Sequence, residues 1–396
     1  MRTTGAVSLE TRGSARATID YPRVVLIGAA HLMNDMYVNL LTAILPYLVL
    51  DGKISTTLAG LVLLVYLLGS SLLQPVFGLL ADQSGRRIFA IFGPMTVGVG
   101  ACLTGWVNGA ELFALAAFSG IGGAAFHPQA AAMVNGLSPR NKGWSMAIFS
   151  TGGNIGFAIG PLLAAGIALI GLRWSPVAII PGIIVTLFLA RYLPHVQQSK
   201  QSAGLDVLKS SFARNWRPMS LIIFVIAARS AAQFSLIFFL PLYFHARGSS
   251  AELGSLFAFA LSLSGAAGGL IGGRISDSHG RRLVVVSSLL AAAPVLAVTL
   301  ISTGPIAWVL IVASGALLVA CNSTTVVQGQ ELLPANAGVA AGLTLGLAFG
   351  LSGVITSGLT ALSGHIGVQH TVLLVPLLPL VAGLAGIFVP DRRQPA

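Results

Sequence analysis

Charged residues are scarce in this chain, and that scarcity decides its class. Only 8% of its 396 residues are charged, whereas a soluble domain carries about 25%. Hydrophobic residues make up 55% of the chain. This small number of charged residues cannot cover a water-facing surface. The composition therefore excludes a soluble globular protein and predicts an integral membrane protein.

Other absences exclude other classes of protein. The only two cysteines, Cys102 and Cys321, fall inside apolar runs, so neither a disulfide framework nor a thiolate metal cluster is expected. The chain has no Gly-x-x-x-x-Gly-Lys loop, so ATP does not drive it and no cofactor is implied. We find no nucleophile and base at catalytic spacing, so we do not expect an enzyme.

Long apolar runs dominate what is present. Twelve of them are long enough to cross a membrane as helices of ~20 residues. They lie at 22–50, 57–81, 88–107, 111–137, 141–168, 175–193, 218–244, 251–275, 283–302, 306–332, 336–362 and 369–389. The sequence therefore predicts an all-α membrane protein of two six-helix bundles. The predicted parts are a disordered tail at 1–21, bundles at 22–193 and 218–389, a cytoplasmic linker at 194–217 and a tail at 390–396.

A ten-residue pattern occurs twice and relates the two halves. The frame Gly-x-x-x-Asp-x-x-Gly-Arg-Arg lies at 78–87 and again at 273–282, with an offset of 195 residues. A positive anchor at the membrane surface would explain the arginines but not the shared glycine and aspartate. We therefore expect these loops to control gating, with Asp82 near the start of the eleventh span around Asn336, where a helix dipole favours a carboxylate by roughly 0.3–1 kcal/mol. The residues concerned are Gly78, Asp82, Arg86, Arg87, Asp277, Arg281 and Arg282.

The location of the basic residues explains the net charge of +11. If the N-terminus is cytoplasmic, eighteen basic residues fall in segments on the cytoplasmic side and only Lys53, Arg173 and Arg247 fall in segments on the opposite side of the membrane. This asymmetry follows the positive-inside rule, so both termini and both repeated loops are predicted to be cytoplasmic. The basic surplus then needs no nucleic-acid partner, and we expect a monomer in the lipid bilayer.

Ionisable residues near the middle of an apolar run indicate a substrate or ion pathway, because burying them in lipid is costly. His31 and Asp35 are four residues apart and share a helical face with Asn39. A carboxylate beside an imidazole can exchange a proton with it, so Asp35 and His31 are the predicted proton-coupling pair. Two alternatives stay open: Asp35 forms a structural ion pair with Arg229, or protons are carried by Glu331, near the inner end of the tenth span.

Arg229 is the basic residue that falls within a span. A guanidinium in a water-filled cavity favours a carboxylate, phosphate or phosphonate. His127 precedes Pro128, so it either faces the substrate or only occupies a helix kink. His31, Asp35 and His127 also form a set of donors that zinc accepts. The predicted substrate-binding residues are Arg229, His127, Asn34, Asn39, Gln233 and Gln129, although Gln129 lies about 200° around the helix from His127.

Glycines repeat every four residues in three spans. The stripes are Gly152, Gly156 and Gly160, followed by Pro161, in the fifth span; Gly265, Gly269 and Gly273 in the eighth; and Gly342, Gly346 and Gly350 in the eleventh. Such stripes let helices approach closely. They favour surfaces that slide during transport, with tight static packing as the alternative.

The repeated loop, the twelve spans and the central linker together resemble the major facilitator superfamily over nearly the whole chain. Gly152-Gly153-Asn154 with Gly156, Gly160 and Pro161 resembles the fifth-helix pattern of proton-driven antiporters. More narrowly, four segments resemble the fosmidomycin-resistance group of bacterial exporters: His31 to Asp35, Ser70 to Pro75, Phe126-His127-Pro128 and Gly152-Gly153-Asn154. Members of that group often have a glutamate after the His-Pro pair, where this chain has Gln129, so Asp35 or His31 would carry more of the proton transfer here.

The resemblance implies a multi-pass transporter of the bacterial inner membrane that alternates access between two bundles. The expected function is export of a small organic compound, with anionic fosmidomycin-like compounds among the candidates, in exchange for protons. A symporter or uniporter for an organic anion is one alternative. A metal-ion carrier or a membrane enzyme using His31, Asp35 and His127 is another.

Overall fold

Helices follow one another along the whole described chain. The computed structural model describes residues 20–74, 76–77, 80, 87–137, 142–193, 205–333, 340 and 342–390. Its helices are α1 Tyr21–Leu50, α2 Thr56–Leu72, α3 Ile88–Trp106, α4 Glu111–Gly136, α5 Lys142–Ile170, α6 Leu172–Tyr192, α7 Leu205–Ala246, α8 Ala251–His279, α9 Arg281–Ile301, α10 Gly304–Leu332, α11 Gly342–Ile366 and α12 Val368–Gly386. Several are interrupted: α3 ends and α6 begins in 3₁₀ turns, α10 and α12 each contain a short break, and α11 begins with a π-helical turn.

The predicted all-helical membrane fold with twelve spans is confirmed. Ten of the described helices are long and apolar enough to cross a membrane. The second, α2, is described over 17 residues. The fourth, α4, has 26 residues, but its apolar character is lowered by His127, Pro128 and Gln129. Each predicted span therefore coincides with a helix.

The second part of the predicted linker is helical. Helix α7 begins at Leu205 and continues without interruption to Ala246. Its apolar, membrane-crossing part begins at Ala213. Residues 205–217 thus extend the seventh span as a continuous helix, although Pro218 has no N–H to bond the carbonyl of Arg214.

The offset of 195 residues also appears in how helices begin. Ser55 and Ser250, which are 195 residues apart, are the N-caps of α2 and α8. Each hydroxyl accepts a hydrogen bond from the main-chain amide three residues later, at 3.1 Å for Leu58 and 3.2 Å for Leu253. Serine is favoured here because its oxygen satisfies an amide that has no partner within the helix.

Two pairs of helices, α2 with α11 and α5 with α8, form the main contacts between the halves, and α1 also contacts α7. Within the N-terminal half α1 packs along α5, and within the C-terminal half α8 packs along α10. Helices α1 and α7, which carry the ionisable residues, therefore lie at the centre of the molecule.

The glycine stripe of α5 lies directly against α1. A Cβ at Gly152 would overlap the carbonyl oxygen of Gly28, and one at Gly156 would overlap that of Leu32. The absence of side chains thus lets the two backbones approach closely. This contact fixes the position of α1, the helix that carries His31 and Asp35.

The expected stripe on α8 is shifted by one residue. A Cβ at Gly269 or Gly273 would find its nearest neighbour at 3.6 or 3.9 Å, and one at Gly265 would meet a valine side chain of α10 at 2.7 Å. Gly268 and Gly272 are the positions where a Cβ would overlap main-chain carbonyls of α10. The close approach therefore uses a neighbouring face of α8, because a four-residue repeat alone does not say which of two adjacent glycine rows meets the partner.

Basic side chains concentrate on one face of the molecule, the face at which α1, α3 and α9 begin. We call it the basic face; it carries Arg23, Arg87, Arg191, Arg214, Arg217, Arg274, Arg281 and Arg282. The opposite face carries Lys53, Arg173 and Arg247 among the described residues. The structure thus brings together on one face the basic residues that the sequence assigned to the cytoplasmic side.

Candidate functional site

A carboxylate and two imidazoles meet inside the N-terminal half. Asp35 of α1 is buried, with 9% of its surface exposed. Its Oδ2 lies 3.2 Å from Nε2 of His31, one turn earlier on the same helix. Its Oδ1 lies 3.7 Å from Nε2 of His127, on α4. The structure therefore places His127 at the predicted proton pair, and not merely at the kink that Pro128 would cause.

Hydrogen-bond geometry restricts where protons can lie in this cluster. Nδ1 of His31 is 2.8 Å from the main-chain oxygen of Phe149, and a carbonyl oxygen only accepts, so this nitrogen carries a hydrogen. A hydrogen bond between Nε2 of His31 and Asp35 needs a second hydrogen. This spacing allows the two side chains to share one proton more than a neutral imidazole and a carboxylate hold.

Asn34 links the other side of the carboxylate to His127. Its side-chain amide donates to Oδ1 of Asp35 at 3.0 Å and lies 3.3 Å from Nε2 of His127. Because the amide nitrogen is a donor, this nitrogen of His127 is the acceptor, as in a neutral imidazole. A proton shared by His31 and Asp35 would lie on one side of the carboxylate, and Nε2 of His127, which accepts from Asn34, lies 3.7 Å from its other oxygen.

The surroundings of the pair fix its geometry closely. The ring of Phe149 stacks on that of His31 with centroids 4.0 Å apart. A Cβ at Gly153 would lie 2.6 Å from Nε2 of His31 and 2.7 Å from Oδ2 of Asp35. Only glycine leaves room for the pair at this point of α5.

Arg229 occupies the same depth in the C-terminal half. It is buried, with 2% of its surface exposed. Its Nη2 donates to the hydroxyl of Ser230 at 2.8 Å and to Oδ1 of Asn322 at 3.0 Å, and its Nη1 donates to Oε1 of Gln233 at 3.1 Å. These acceptors are neutral, and its Nε has no partner. Across the described part of the chain no carboxylate pairs with this guanidinium, so the alternative ion pair with Asp35 is not formed.

An aromatic layer closes the centre beside these two clusters. Phe157 of α5 and Phe349 of α11 both contact Phe234 of α7, with ring centroids 5.9 and 6.0 Å apart. Because the three rings belong to both halves, they bring the bundles into contact at a level just beyond Asp35 and Arg229.

Two residues predicted to bind substrate have local structural partners. The amide of Asn39 donates to the main-chain oxygen of Phe157 at 2.6 Å. Pro161, four residues after Phe157, has no N–H, so that oxygen lacks its helical donor. Asn39 replaces the donor, and the neighbouring Gly160 makes room, since a Cβ there would lie 2.5 Å from that of Asn39.

Gln129 lies on the side of α4 away from His127. Its Oε1 accepts from the main-chain amide of Ala90 at 2.7 Å. Ala90 is in the first turn of α3, where an amide has no partner within its own helix. This position agrees with the angle of about 200° around the helix that separates Gln129 from His127.

The second repeated loop forms contacts that hold the basic face of the C-terminal half together. Arg281 at the start of α9 binds Glu331 of α10 through two nitrogens, with Nη2 to Oε1 at 2.6 Å and Nε to Oε2 at 3.0 Å. Nε of Arg282 donates to the main-chain oxygen of Val389 at 2.7 Å. Arg87 stands immediately before α3, as Arg282 stands beside the start of α9. Glu331 is thus held by an arginine.

The remaining gating predictions lie outside the described residues. They concern Gly78, Asp82, Arg86 and the expected neighbour Asn336. The side chain of Asp277 lies outside the described part as well.

Sequence reasoning did not select Asn322, Ser230 or Gly153 as site residues. The repeat offset could have found the first of them. Asn322 lies 195 residues after His127, just as Arg229 lies 195 residues after Asn34. Gly153 needed the structure, because only the contact with the His31 and Asp35 side chains shows why a Cβ is excluded.

Comparisons with known proteins agree with this arrangement over most of the chain. Residues 27–357 match the model of the Major Facilitator Superfamily. The chain is 30% identical to the "Fosmidomycin resistance protein" of Escherichia coli over 385 residues, which cover 93% of this chain and 92% of that one. It is 28% identical to the "Uncharacterized MFS-type transporter YfnC" of Bacillus subtilis, over 95% of each chain. A solved bacterial homologue of the human lysosomal transporter Spinster, inward-facing and unoccupied, has the same fold, with a TM-score of 0.71 at 15% identity over 97% of this chain and 100% of that one.

Proposed function

The chain belongs to the Major Facilitator Superfamily, and we propose that it exports a small organic compound in exchange for protons by alternating access between its two halves. It is a multi-pass membrane transporter. Export and proton exchange are the steps that the proposal adds to this family membership.

The observation that carries the proposal is the 3.2 Å contact between Nε2 of His31 and Oδ2 of Asp35. Antiport needs a group that is deprotonated in one part of the cycle and protonated in the other. Asp35 has a proton donor on its own helix at 3.2 Å and, among the described residues, no fixed cation beside it. A carboxylate locked to Arg229 would have no reason to change its charge, so the separation of Asp35 from Arg229 supports proton exchange at Asp35.

Substrate and proton then favour different conformations. Coupling requires only that each binds one state of the transporter better than the other. We propose that the deprotonated cluster accompanies bound substrate, and that the protonated cluster accompanies the empty return. His31 relays the proton. His127, whose Nε2 lies beside the carboxylate, binds or orients the substrate at the same cluster.

The proposed substrate is an organic anion, and Arg229 is its binding group. A guanidinium always carries its charge, and its planar N–H groups suit carboxylate and phosphonate oxygens. Among the residues that the structure describes, only neutral oxygens bond this guanidinium, and its Nε has no acceptor. An anion would supply the missing negative charge, and Gln233 and Asn322 would help to orient it. The name of the Escherichia coli relative supports a fosmidomycin-like compound.

The orientation follows from the basic face. Basic residues prefer the cytoplasmic side of a membrane. We therefore propose that the basic face and both chain ends are cytoplasmic, in the inner membrane of a bacterium, and that the transporter works as a monomer without a cofactor.

The direct test is proton movement caused by substrate. We would place purified protein in liposomes that contain a pH-sensitive dye, impose no membrane potential and add fosmidomycin as the first compound. Proton release that depends on the compound and saturates with its concentration is the expected result. Transport of fosmidomycin without proton movement would favour the uniporter, and proton movement in the same direction as the compound would favour the symporter.

A metal-ion carrier is the second candidate. One donor atom from each of His31, Asp35 and His127 lies within 4.8 Å of the others, a spacing compatible with one shared ion. Zinc transport in the same liposomes, or stoichiometric zinc in the purified protein, would favour this candidate. Fosmidomycin-driven proton release that is unchanged after chelator treatment would exclude it.

A further inference from the structure

The contact between α2 and α11 contains a side chain placed at a main-chain hydrogen bond. The hydroxyl of Ser71, which is 3% exposed, donates to the main-chain oxygen of Gly346 and accepts from the amide of Gly350 at 3.1 Å. In a regular α-helix the amide of residue 350 would bond the carbonyl of residue 346. Ser71 of one half thus engages both members of a backbone pair that belongs to the other half.

The backbone of α11 is irregular at this point. Residues Gly342–Leu347 form a π-helical turn, and regular α-helix resumes at Ala348. Single π-helical turns occur frequently at functional sites, and a side chain inserted into the hydrogen-bond ladder is a known cause of helix bending. The irregular turn therefore ends where the Ser71 hydroxyl enters the helix.

The surface of α11 that receives Ser71 is made of glycine. A Cβ at Gly350 would lie 2.8 Å from Oγ of Ser71, and one at Gly346 would lie 3.2 Å from its main-chain oxygen. One turn further, a Cβ at Gly353 would lie 2.9 Å from that of Leu67. A side chain at any of these positions would hold α2 away from α11, so this contact depends on the glycines.

The same helix also lies near the proton cluster. Tyr66, five residues before Ser71 on α2, is buried, interacts electrostatically with Asp35 and shares a hydrogen bond with Ser70. One helix therefore interacts with the carboxylate through one side chain and contacts the opposite half with another. A movement of α2 relative to α1 would reach the α11 contact directly.

We propose that Ser71 is a positioning residue of the transport cycle, whose hydroxyl holds α2 against α11 while the basic face is closed and leaves α11 when that face opens. The proposal rests on the alternating access proposed above. After release, the amide of Gly350 bonds the carbonyl of Gly346 as in a regular helix, and the serine hydroxyl bonds the carbonyl one turn earlier on its own helix. Every polar group then has a partner in both states, as the membrane interior requires, so the two states differ little in energy.

The test measures opening of the basic face by the distance between two spin labels. They would be attached to cysteines at Leu80, just beyond α2, and Trp216, on α7, which are 43% and 52% exposed. Cys102 and Cys321 would be replaced by alanine beforehand. Ser71→Ala removes the hydroxyl, so we expect the long-distance population to rise by about 2- to 10-fold, the change that one hydrogen bond makes to an equilibrium.

Matched variants separate this effect from general loss of packing. Ser352→Ala removes a buried hydroxyl from α11 that bonds only its own helix, through Phe349, and should leave the distances unchanged. Ser71→Thr keeps the hydroxyl, so its distance distribution should match that of the protein with serine at this position. Gly350→Ala should open the basic face as Ser71→Ala does, whereas Gly358→Ala, where a Cβ meets nothing within 4 Å, should not.

Equal distance distributions for Ser71→Ala and Ser352→Ala would overturn the proposal, and so would equal distributions for Gly350→Ala and Gly358→Ala. Only variants that elute as a single species from a sizing column are compared. The distances need neither substrate nor a proton gradient, so this result is independent of the proton-release experiment. Failure of proton release with the expected distances would reject the antiport mechanism and keep the role of Ser71.

Discussion

The two halves of this transporter make the same contact with different chemistry. In the N-terminal half the side chain of Asn34 lies 3.3 Å from that of His127, joining α1 to α4. In the C-terminal half Arg229 lies 3.0 Å from Asn322, joining α7 to α10. The members of each corresponding pair are 195 residues apart in the sequence. The internal repeat thus preserved a polar link between the first and fourth helices of each half while its residues diverged.

The residues beside this link show the difference in role. Asp35 corresponds to Ser230, and His31 corresponds to Ile226, at the same offset. The N-terminal half therefore holds groups whose charge can change, and the C-terminal half holds a charge that cannot. We infer a division of labour in which one half exchanges the proton and the other binds the anion.

The largest effect is expected from Asp35→Asn. The amide keeps the size and most hydrogen bonds of the carboxylate but cannot exchange a proton. Gradient-driven export, measured in liposomes, should fall to background. Binding of an anionic substrate at Arg229, measured by calorimetry, should be retained. Asp51→Asn, an exposed aspartate outside the membrane, is the control and should transport normally.

Normal proton exchange by Asp35→Asn would contradict the inferred division of labour between the two halves. Coupling would then have to use another carboxylate, and Glu331 is the next candidate. Because Glu331 is bound by Arg281 at 2.6 Å, that outcome would also require this ion pair to open during the cycle.

A smaller and more selective effect is expected from Arg229→Gln. A charged hydrogen bond contributes about 1.5–3 kcal/mol, so anion affinity should fall roughly 10- to 150-fold. Phenylphosphonate, benzoate and benzamide share a ring and differ in head-group charge; only the first two should lose affinity. Arg229→Lys keeps the charge and should retain part of the binding. Equal loss for benzamide would indicate that Arg229 only holds α7 and α10 together.

Gly153→Ala tests how closely the proton pair is positioned. The corresponding residue of the C-terminal half is Ala348, where no pair of titratable side chains needs the space. A methyl group at Gly153 would push His31 and Asp35 apart, and misplacement by about 1 Å can cost up to 100-fold in rate. We expect proton-coupled export to fall about tenfold with anion binding unchanged. Gly166→Ala on the same helix, where a Cβ meets nothing within 4 Å, should have no effect; equal behaviour of the two variants would contradict the prediction.

The sequence predicted the helices and the isolated polar residues well because both are strong signals in an apolar chain. It could place Asp35 one turn from His31, since that spacing is a property of one helix. It could not decide between His31 and Arg229 as the partner of Asp35, because that depends on how α1 sits against α5 and α7. The same limit applies to Asn39, which was expected to bind substrate.

The smallest effect, and the sharpest test of a structural role, concerns Asn39 and Pro161. The residues that correspond to them in the C-terminal half are Phe234 and Thr356. At this position of the first helix, a polar side chain is therefore present only in the half where a proline removes a main-chain donor from the fifth helix. This pairing argues that Asn39 is retained to satisfy the oxygen of Phe157 and not to bind substrate.

Asn39→Leu should lower the free energy of unfolding by about 1–3 kcal/mol, because it leaves a buried carbonyl without a donor. In the background of Pro161→Thr, the new main-chain amide can bond the oxygen of Phe157, so the same Asn39→Leu change should cost much less. Thermal unfolding of the four proteins of this double-mutant cycle measures the difference. Affinity for phenylphosphonate separates the two roles: a structural Asn39 predicts unchanged affinity in the double variant, whereas a substrate-binding Asn39 predicts that affinity is lost whether or not Pro161 is present.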